Sequence, residues 1–260
     1  MTDKSNDVFL LPERWHVLSG SWLKVIAMVS MLIDHTASVI LRYDPAFTEP
    51  LITMGRHSIT WYYLLRCVGR LAFPIFCFLL VEGFQHTHDR RKYGRNLLVF
   101  ALISEIPFNL THGGHLYGWS QNVFFTLFLG FLALSVVRRW EEDRLVLPQS
   151  TIYAEHNRRL ALRLFALIVA GYLLRCDYGN CGISFILLLY VLRRNEIFRV
   201  AIGCCFLGSR WIAGLAFIPI AFYNGRRGFI QGAFGKYLFY LFYPLHLLVL
   251  YSIKVALGIG

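Results

Sequence analysis

Long apolar runs separated by short polar clusters dominate the chain from residue 21 onward. Sparse charge and lengths near that of a bilayer crossing make about nine of these runs candidate membrane spans. They cover residues 21–42, 59–85, 93–110, 121–137, 159–174, 178–192, 197–208, 211–223 and 236–258. The pattern predicts an all-α fold, a polytopic transmembrane helix bundle of about nine spans, with eight to ten as the range.

The segment 197–223 is the ambiguous part of this pattern. Its two runs are short for full crossings and are split by Gly208-Ser209-Arg210. Either one kinked helix or two short helices fits, and two short helices keep the loop alternation described below. Neither an internal repeat nor a linker interrupts the chain. We therefore expect one integral membrane domain over 1–260, with 1–20 as a cytoplasmic N-terminal segment.

The composition agrees with a membrane protein. Hydrophobic residues make up 57% of the chain and charged residues only 16%, against about 25% in soluble domains. A net charge of +11 would suggest nucleic acid as the partner of a soluble protein. No basic block is interleaved with exposed polar sequence here, so we expect membrane lipids and no nucleic acid as partners.

Basic residues concentrate in every second loop. The segments 86–97, 138–163, 193–199 and 224–236 hold most of the 26 Lys and Arg residues. The positive-inside rule places these loops and the N-terminus in the cytoplasm, and the C-terminus outside.

Six ionisable residues lie far from the ends of their predicted spans, where a charged side chain costs at least ~2.5–3.5 kcal/mol. They are Asp34, His35, Arg66, Arg70, Glu105 and His246. Counting along the helices puts them at similar depth in four spans, which predicts a polar chamber. The alternative is a set of buried ion pairs that only fix helix register, Asp34 with one arginine and Glu105 with the other.

Helix geometry separates the roles of Asp34 and His35. Adjacent helical residues point about 100° apart, so we expect Asp34 to hold an arginine while His35 faces the chamber. Imidazole titrates near neutrality and is a common proton-transfer group. His35 is therefore the candidate general base and His246 the second candidate.

A second polar region follows the second span, in "VEGFQHTHDRRKYGR". Glu82 and His86 are one helical turn apart and can pair. The basic cluster beside them is either a topology signal in contact with anionic lipid or a phosphate clamp. Its members are Arg90, Arg91, Lys92 and Arg95. No P-loop, GxSxG, HExxH or metal-ligand spacing is present, so no metal is expected.

Several stretches along nearly the whole chain resemble the TraX family. They are "LKVIAMVSMLIDH" (23–35), "RCVGRLAFPIFCFLLVEGFQHT" (66–87), "RNLLVFALISEIPFNL" (95–110), "NVFFTLFLG" (122–130), "DYGNCGI" (177–183) and "KYLFYLFYPLHLLVLY" (236–251). The resemblance implies an enzyme like the founding TraX protein, which acetylates the N-terminus of conjugative pilin in the inner membrane. It also implies kinship with transmembrane acyltransferases of the acyltransferase-3 type, which use cytosolic acyl-CoA and an intramembrane histidine.

Carried over residue by residue, the resemblance marks Asp34, His35, Arg70, Asn122, Tyr178 and His246. The matches at Glu82, His86 and Glu105 are similar to a chromosomal branch of the family, whose acceptor need not be pilin. The implied function is acetyl transfer from cytosolic acetyl-CoA to an amine or hydroxyl of pilin or an envelope glycan or lipid, at the outer face of the bacterial inner membrane.

Each candidate residue then has an expected role. Arg66 and Arg70 steady the oxyanion or hold Asp34, and Glu105 belongs to the same layer. Donor-binding candidates are Arg90, Arg91, Lys92, Arg95, Lys236, Glu82, His86, Asn122 and Tyr178. The alternative function is a proton- or anion-coupled transporter that uses the same charged layer.

Overall fold

The computed structural model describes residues 8–54, 57–144 and 152–259. Every predicted apolar run is helical in it. The helices are α1 (Gly20–Val39), α2 (Pro45–Thr48), α3 (Trp61–Gly69), α4 (Ala72–His86), α5 (Arg90–Gly113), α6 (Val123–Arg144), α7 (Ile152–Leu173), α8 (Gly179–Val191), α9 (Glu196–Leu207), α10 (Phe217–Ala221) and α11 (Gly232–Ala256). Short 3-10 segments occupy Glu13–Trp15, Leu41–Tyr43 and Gly208–Ala216. A small antiparallel hairpin pairs β1 (Ile52–Met54) with β2 (His57–Ile59).

Local signals in the sequence fix several helix ends. The Thr60 side chain accepts a hydrogen bond from the Tyr63 backbone N–H at the start of α3. At the start of α5, the Asp89 side chain accepts a hydrogen bond from the Lys92 backbone N–H in the same way. These caps satisfy backbone donors that have no partner within the first helical turn. At the other end of α5, Gly114 adopts φ 67°, the left-handed conformation that ends many helices.

The helices run back and forth between two ends of the bundle. At one end, here called the basic end, Leu18 pairs with Tyr223 and the Trp140 indole donates to the Asn157 side chain. At the opposite end, Gln121 pairs with Cys176. The described parts of all four basic loops lie at the basic end, as the predicted alternation of loops requires.

The second predicted span is broken rather than continuous. α3 ends at Gly69 and α4 begins at Ala72, so the helix is interrupted around Arg70. Pro74 lies in the first turn of α4. Because proline has no N–H, it cannot bond the Arg70 carbonyl as a continuous helix requires. The break lies at the depth of the predicted chamber.

The segment 197–223 forms two antiparallel limbs rather than one kinked helix. The sequence favours two short helices here, but the second limb is mostly 3-10 helix and not α-helix. The chain leaves α9, runs through the 3-10 segment Gly208–Ala216, and returns along α9 into α10. Cys204 Sγ lies 3.9 Å from the Gly214 carbonyl oxygen, and Gly203 faces the Phe217 ring. The first limb therefore starts at the basic end, and the second limb finishes there.

Among the described residues, four helical stretches are long and apolar enough to cross a membrane. They are Gly20–Tyr43, Trp61–His86, Val123–Arg144 and Gly235–Ala256. The chain is therefore a membrane protein with an all-α bundle. The larger count of about nine crossings stays a prediction, because α8 and residues 212–221 are shorter apolar helices.

The contact between α1 and α3 depends on a glycine. A Cβ added to Gly69 would overlap the Cβ and Oδ1 atoms of Asp34. We predict that Gly69→Ala lowers the free energy of unfolding by about 1–3 kcal/mol, the usual cost of overpacking. Thermal unfolding of the purified protein in detergent measures this. Gly113→Ala is the control, since its nearest neighbour, His115 Cδ2, would lie 3.7 Å away. Equal stability of both variants would contradict the prediction.

Candidate functional site

The side chains of His35 on α1 and His246 on α11 meet between the two helices. His35 Nδ1 lies 2.6 Å from His246 Nε2. The ring planes differ by 2° and the centroids are 4.9 Å apart. The distance between the centroids equals the N···N distance plus the distance from the centroid to the nitrogen in each ring. The two rings therefore meet edge to edge in nearly one plane. This is the geometry of a direct N–H···N hydrogen bond rather than of face-to-face stacking.

A backbone carbonyl assigns the hydrogen in this pair. His246 Nδ1 lies 2.7 Å from the Phe242 carbonyl oxygen, which can only accept, so His246 Nδ1 carries the hydrogen. In the neutral ring His246 Nε2 is then an acceptor, and His35 Nδ1 must be the donor between the two rings. His35 Nε2 is left with its lone pair. The arrangement leaves His35 with a basic nitrogen and uses both nitrogens of His246.

Asp34 turns to the other side of α1, as the helix geometry predicts. Its Oδ2 lies 2.5 Å from Arg66 Nη1 on α3. Both side chains are partly exposed, Arg66 to 36% and Asp34 to 19%. Arg70 lies close enough to Asp34 to act on it electrostatically. The pair with Arg66 makes that arginine a group that holds Asp34 and joins α1 to α3.

Glu105 is held by amides and not by an arginine. The fully buried Asn122 donates to Glu105 Oε2 at 2.6 Å and to the Ala101 carbonyl at 2.8 Å. Asn109 donates to Glu105 Oε1 at 3.2 Å. The Asn122 side-chain oxygen also accepts from Phe124 N–H. The alternative interpretation, in which Glu105 pairs with an arginine, is therefore not seen among the described residues. Both amide hydrogens of Asn122 are thus used within the protein, and Asn122 positions α5 against α6.

The loop between α7 and α8 brings two more polar residues to this layer. Tyr178 has φ 63° and stacks on Phe73 with centroids 3.6 Å apart. The backbone carbonyl of Asp177 accepts from the Thr126 hydroxyl. The Asp177 charge acts on Asp34 and on the buried Tyr243, whose ring lies 5.7 Å from His246. Tyr243 thus belongs to the site, and the exposed Asp177 lies at its edge.

A neighbouring thiol does not supply a nucleophile. Cys176 is buried at the start of the same loop. Burial raises the pKa of its thiol to about 11, so the thiol stays protonated at neutral pH and is a poor nucleophile. Among the described residues no group of three or more His, Cys, Asp or Glu side chains is arranged to hold a metal ion.

The predicted phosphate clamp is only partly assembled. His86 Nδ1 lies 3.9 Å from Glu82 Oε2, and both residues line a cavity of about 730 Å³ at the basic end together with Arg90. The other four predicted members do not line it. They are Arg91, Lys92, Arg95 and Lys236. Consecutive positions in one helical turn point in different directions, so α5 cannot aim all its basic residues at one point.

Comparison with known proteins identifies the family of this chain. Residues 19–254 match the TraX protein family. The chain belongs to the TraX family. It is 34% identical to the "Probable fimbrial assembly protein FimC, serogroup H1" of Dichelobacter nodosus in an alignment of 269 positions that covers 92% of this chain and 97% of that protein. No solved structure matches it significantly.

The match to the TraX family spans every candidate residue of the chamber. Two residues that the structure brings to the chamber were not predicted from the sequence. Asp177 and Tyr243 both lie inside stretches that resemble the family, but in neither case does their spacing predict a neighbour in the chamber. Loop closure brings Asp177 there, and the packing of α11 brings Tyr243.

Asn122 provides a test of the chamber framework. We predict that Asn122→Ala lowers the free energy of unfolding by about 1–3 kcal/mol, because it leaves buried acceptors without a donor. Chemical denaturation in detergent measures this. Asn180→Ala is the matched control, since Asn180 is exposed and, within the described part of the chain, its side chain bonds only the adjacent Cys181 N–H. A cost no larger than that of the control would show that the Asn122 bonds do not support the bundle.

Proposed function

We propose that the protein is an integral membrane acyltransferase that moves an acetyl group from cytosolic acetyl-CoA to an acceptor at the outer face of the bacterial inner membrane. The observation that carries this proposal is the free Nε2 of His35, fixed as an acceptor by the hydrogen bonds through His246 to the Phe242 carbonyl. A base held in one tautomer at membrane depth is costly and serves proton transfer well.

His35 acts as the general base of the reaction. Its Nε2 takes a proton from the acceptor amine or hydroxyl as that atom attacks the acetyl carbonyl carbon. The new C–N or C–O bond forms as the C–S bond to coenzyme A breaks. The coenzyme A thiolate that leaves then accepts the proton from the His35 imidazolium. His246 holds the ring of His35 and shares the developing positive charge through the N–H···N bond. Arg70 is the cation proposed to steady the oxyanion, because Arg66 is bound to Asp34.

The two ends of the bundle suit the two substrates. His35 lies roughly 22 Å along α1 from Gly20 at the basic end, taking 1.5 Å of rise per residue. The positive-inside rule puts the basic end in the cytoplasm, where the donor is made. At the opposite end, Tyr117 and Trp119 in the loop after α5 are 91% and 83% exposed. We propose that the multi-pass protein receives its acceptor from that side.

The name of the relative in Dichelobacter nodosus supports a pilin as the acceptor. That protein is called a fimbrial assembly protein, and fimbriae are built from pilin subunits. We therefore propose the N-terminal amine of a pilin, with an envelope glycan or lipid hydroxyl as the other acceptor class.

Replacing His35 tests the proposal. We predict that His35→Ala reduces acetyl transfer by at least 10²-fold, the lower range for loss of a general base, while the variant stays folded. The measurement is mass spectrometry of pilin and of membrane glycans and lipids from cells that make each variant. His115→Ala is the control, since His115 is an exposed histidine outside the chamber.

An acetyl group should be present with the wild type and His115→Ala and missing with His35→Ala. The same acetylation in all three strains would overturn the role of His35. Absence of any acetylated component with the wild type, together with no calorimetric binding of acetyl-CoA in detergent, would overturn the enzyme and favour the transporter.

A further inference from the structure

The cavity at the basic end collects arginines from all four basic loops. Its wall contains six of them, from the start of α5, the end of α6, the loop after α8, the start of α9 and the loop after α10. They are Arg90, Arg138, Arg193, Arg194, Arg199 and Arg226. A volume of about 730 Å³ falls within the range of small-molecule sites.

A topology signal does not account for this arrangement. The positive-inside rule needs basic residues in cytoplasmic loops but not their convergence. Arg158 and Arg159 satisfy the rule at the same end while pairing with Glu155 outside the cavity. The six cavity arginines instead come from separate loops and surround one volume. Convergence of guanidinium groups from distant parts of a chain is what a multiply charged anion requires.

The charge in the cavity is not fully neutralised by its own acids. Three glutamates line it, Glu13, Glu82 and Glu196. Four of the six arginines have acidic partners. Arg138 and Arg193 contact Glu141, which lies beside the cavity, while Arg90 is 3.8 Å from Glu142 and Arg199 is 3.1 Å from Glu196. Within the described residues, no carboxylate lies within ion-pair distance of the Arg194 or Arg226 guanidinium group.

Two buried nitrogens in the wall lack hydrogen-bond partners among the described residues. They are Arg90 Nε and His16 Nε2. A buried polar atom without a partner is unfavourable and is rare in folded proteins. Phosphate oxygens can accept from both groups, Arg90 directly and His16 when its Nε2 carries a hydrogen.

We propose that this cavity binds the polyphosphate of a nucleotide, namely the phosphorylated nucleotide end of the acyl-CoA donor. The assignment rests on the proposed function and replaces Arg91, Lys92, Arg95 and Lys236 as the donor clamp. Arg194 and Arg226 at the rim and Arg90 within hold the phosphates. Arginine is suited to this because its planar donors bind phosphate oxygens in pairs.

The position of the cavity fits a donor that spans two sites. Phe78 on α4 lines the cavity, and Phe73 on the same helix stacks on Tyr178 in the chamber layer. Five residues separate them, about 7–8 Å along the helix axis. The long pantetheine arm of the donor then extends beside α4 from the cavity to the level of the histidines.

Calorimetric titration of the purified full chain with coenzyme A tests the assignment without any transfer step. Arg194→Ala with Arg226→Ala should weaken binding at least tenfold. Two double variants serve for comparison, and both should bind within about twofold of the wild type. One is Arg158→Ala with Arg159→Ala, which removes the same charge outside the cavity. The other is Arg91→Ala with Arg95→Ala, from the clamp predicted by sequence.

These titrations test binding of coenzyme A in the cavity, whereas the His35 variant tests acetyl transfer. The two proposals can therefore fail separately. Loss of binding in the Arg91–Arg95 variant with unchanged binding in the Arg194–Arg226 variant would overturn the cavity and leave the acetyltransferase intact. Titration with phosphatidylglycerol in mixed micelles distinguishes a lipid source of phosphate. If the lipid binds through Arg194 and Arg226 and coenzyme A does not bind, the nucleotide assignment is wrong. Loss of acetylation in the His35→Ala strain with no binding of coenzyme A would likewise overturn the cavity alone.

Discussion

Polar groups at membrane depth need partners inside the protein, and the chamber depends on that constraint. Asp34 bonds Arg66 across α1 and α3, and His35 bonds His246 across α1 and α11. Asn122 bonds Glu105 across α6 and α5. Each bond that satisfies a costly polar group also joins two helices. The bonds that organise the bundle are therefore the same bonds that organise the candidate site.

Irregular backbone occurs beside these bonds. The interruption between α3 and α4 lies next to Arg66, and Gly69 allows α3 to approach Asp34. On the other side of the layer, Tyr178 adopts a left-handed φ of 63°, which costs energy in a residue other than glycine. Its ring stacks on Phe73 in this conformation. These departures from regular helix place side chains where two straight helices would not bring them.

The two ends of the bundle differ in chemistry. The basic end has converging arginines around a cavity, and the opposite end has the exposed aromatic residues Tyr117 and Trp119. A bundle of this kind can receive an anionic substrate from one side and a different substrate from the other. The basic loops then have two expected purposes, since residues of the loops predicted to orient the chain in the membrane also surround the cavity.

The sequence by itself determined the helices, their alternating direction and the depth of the ionisable residues, because hydrophobic periodicity and loop charge are local properties. It also separated Asp34 from His35, since their relative direction follows from the helix alone. Tertiary structure decided which group each one meets. It paired Glu105 with Asn122 instead of an arginine, brought Asp177 and Tyr243 to the chamber, and left Arg91, Lys92, Arg95 and Lys236 out of the cavity. Those outcomes depend on helix rotation and loop closure, which residues far apart in sequence fix together.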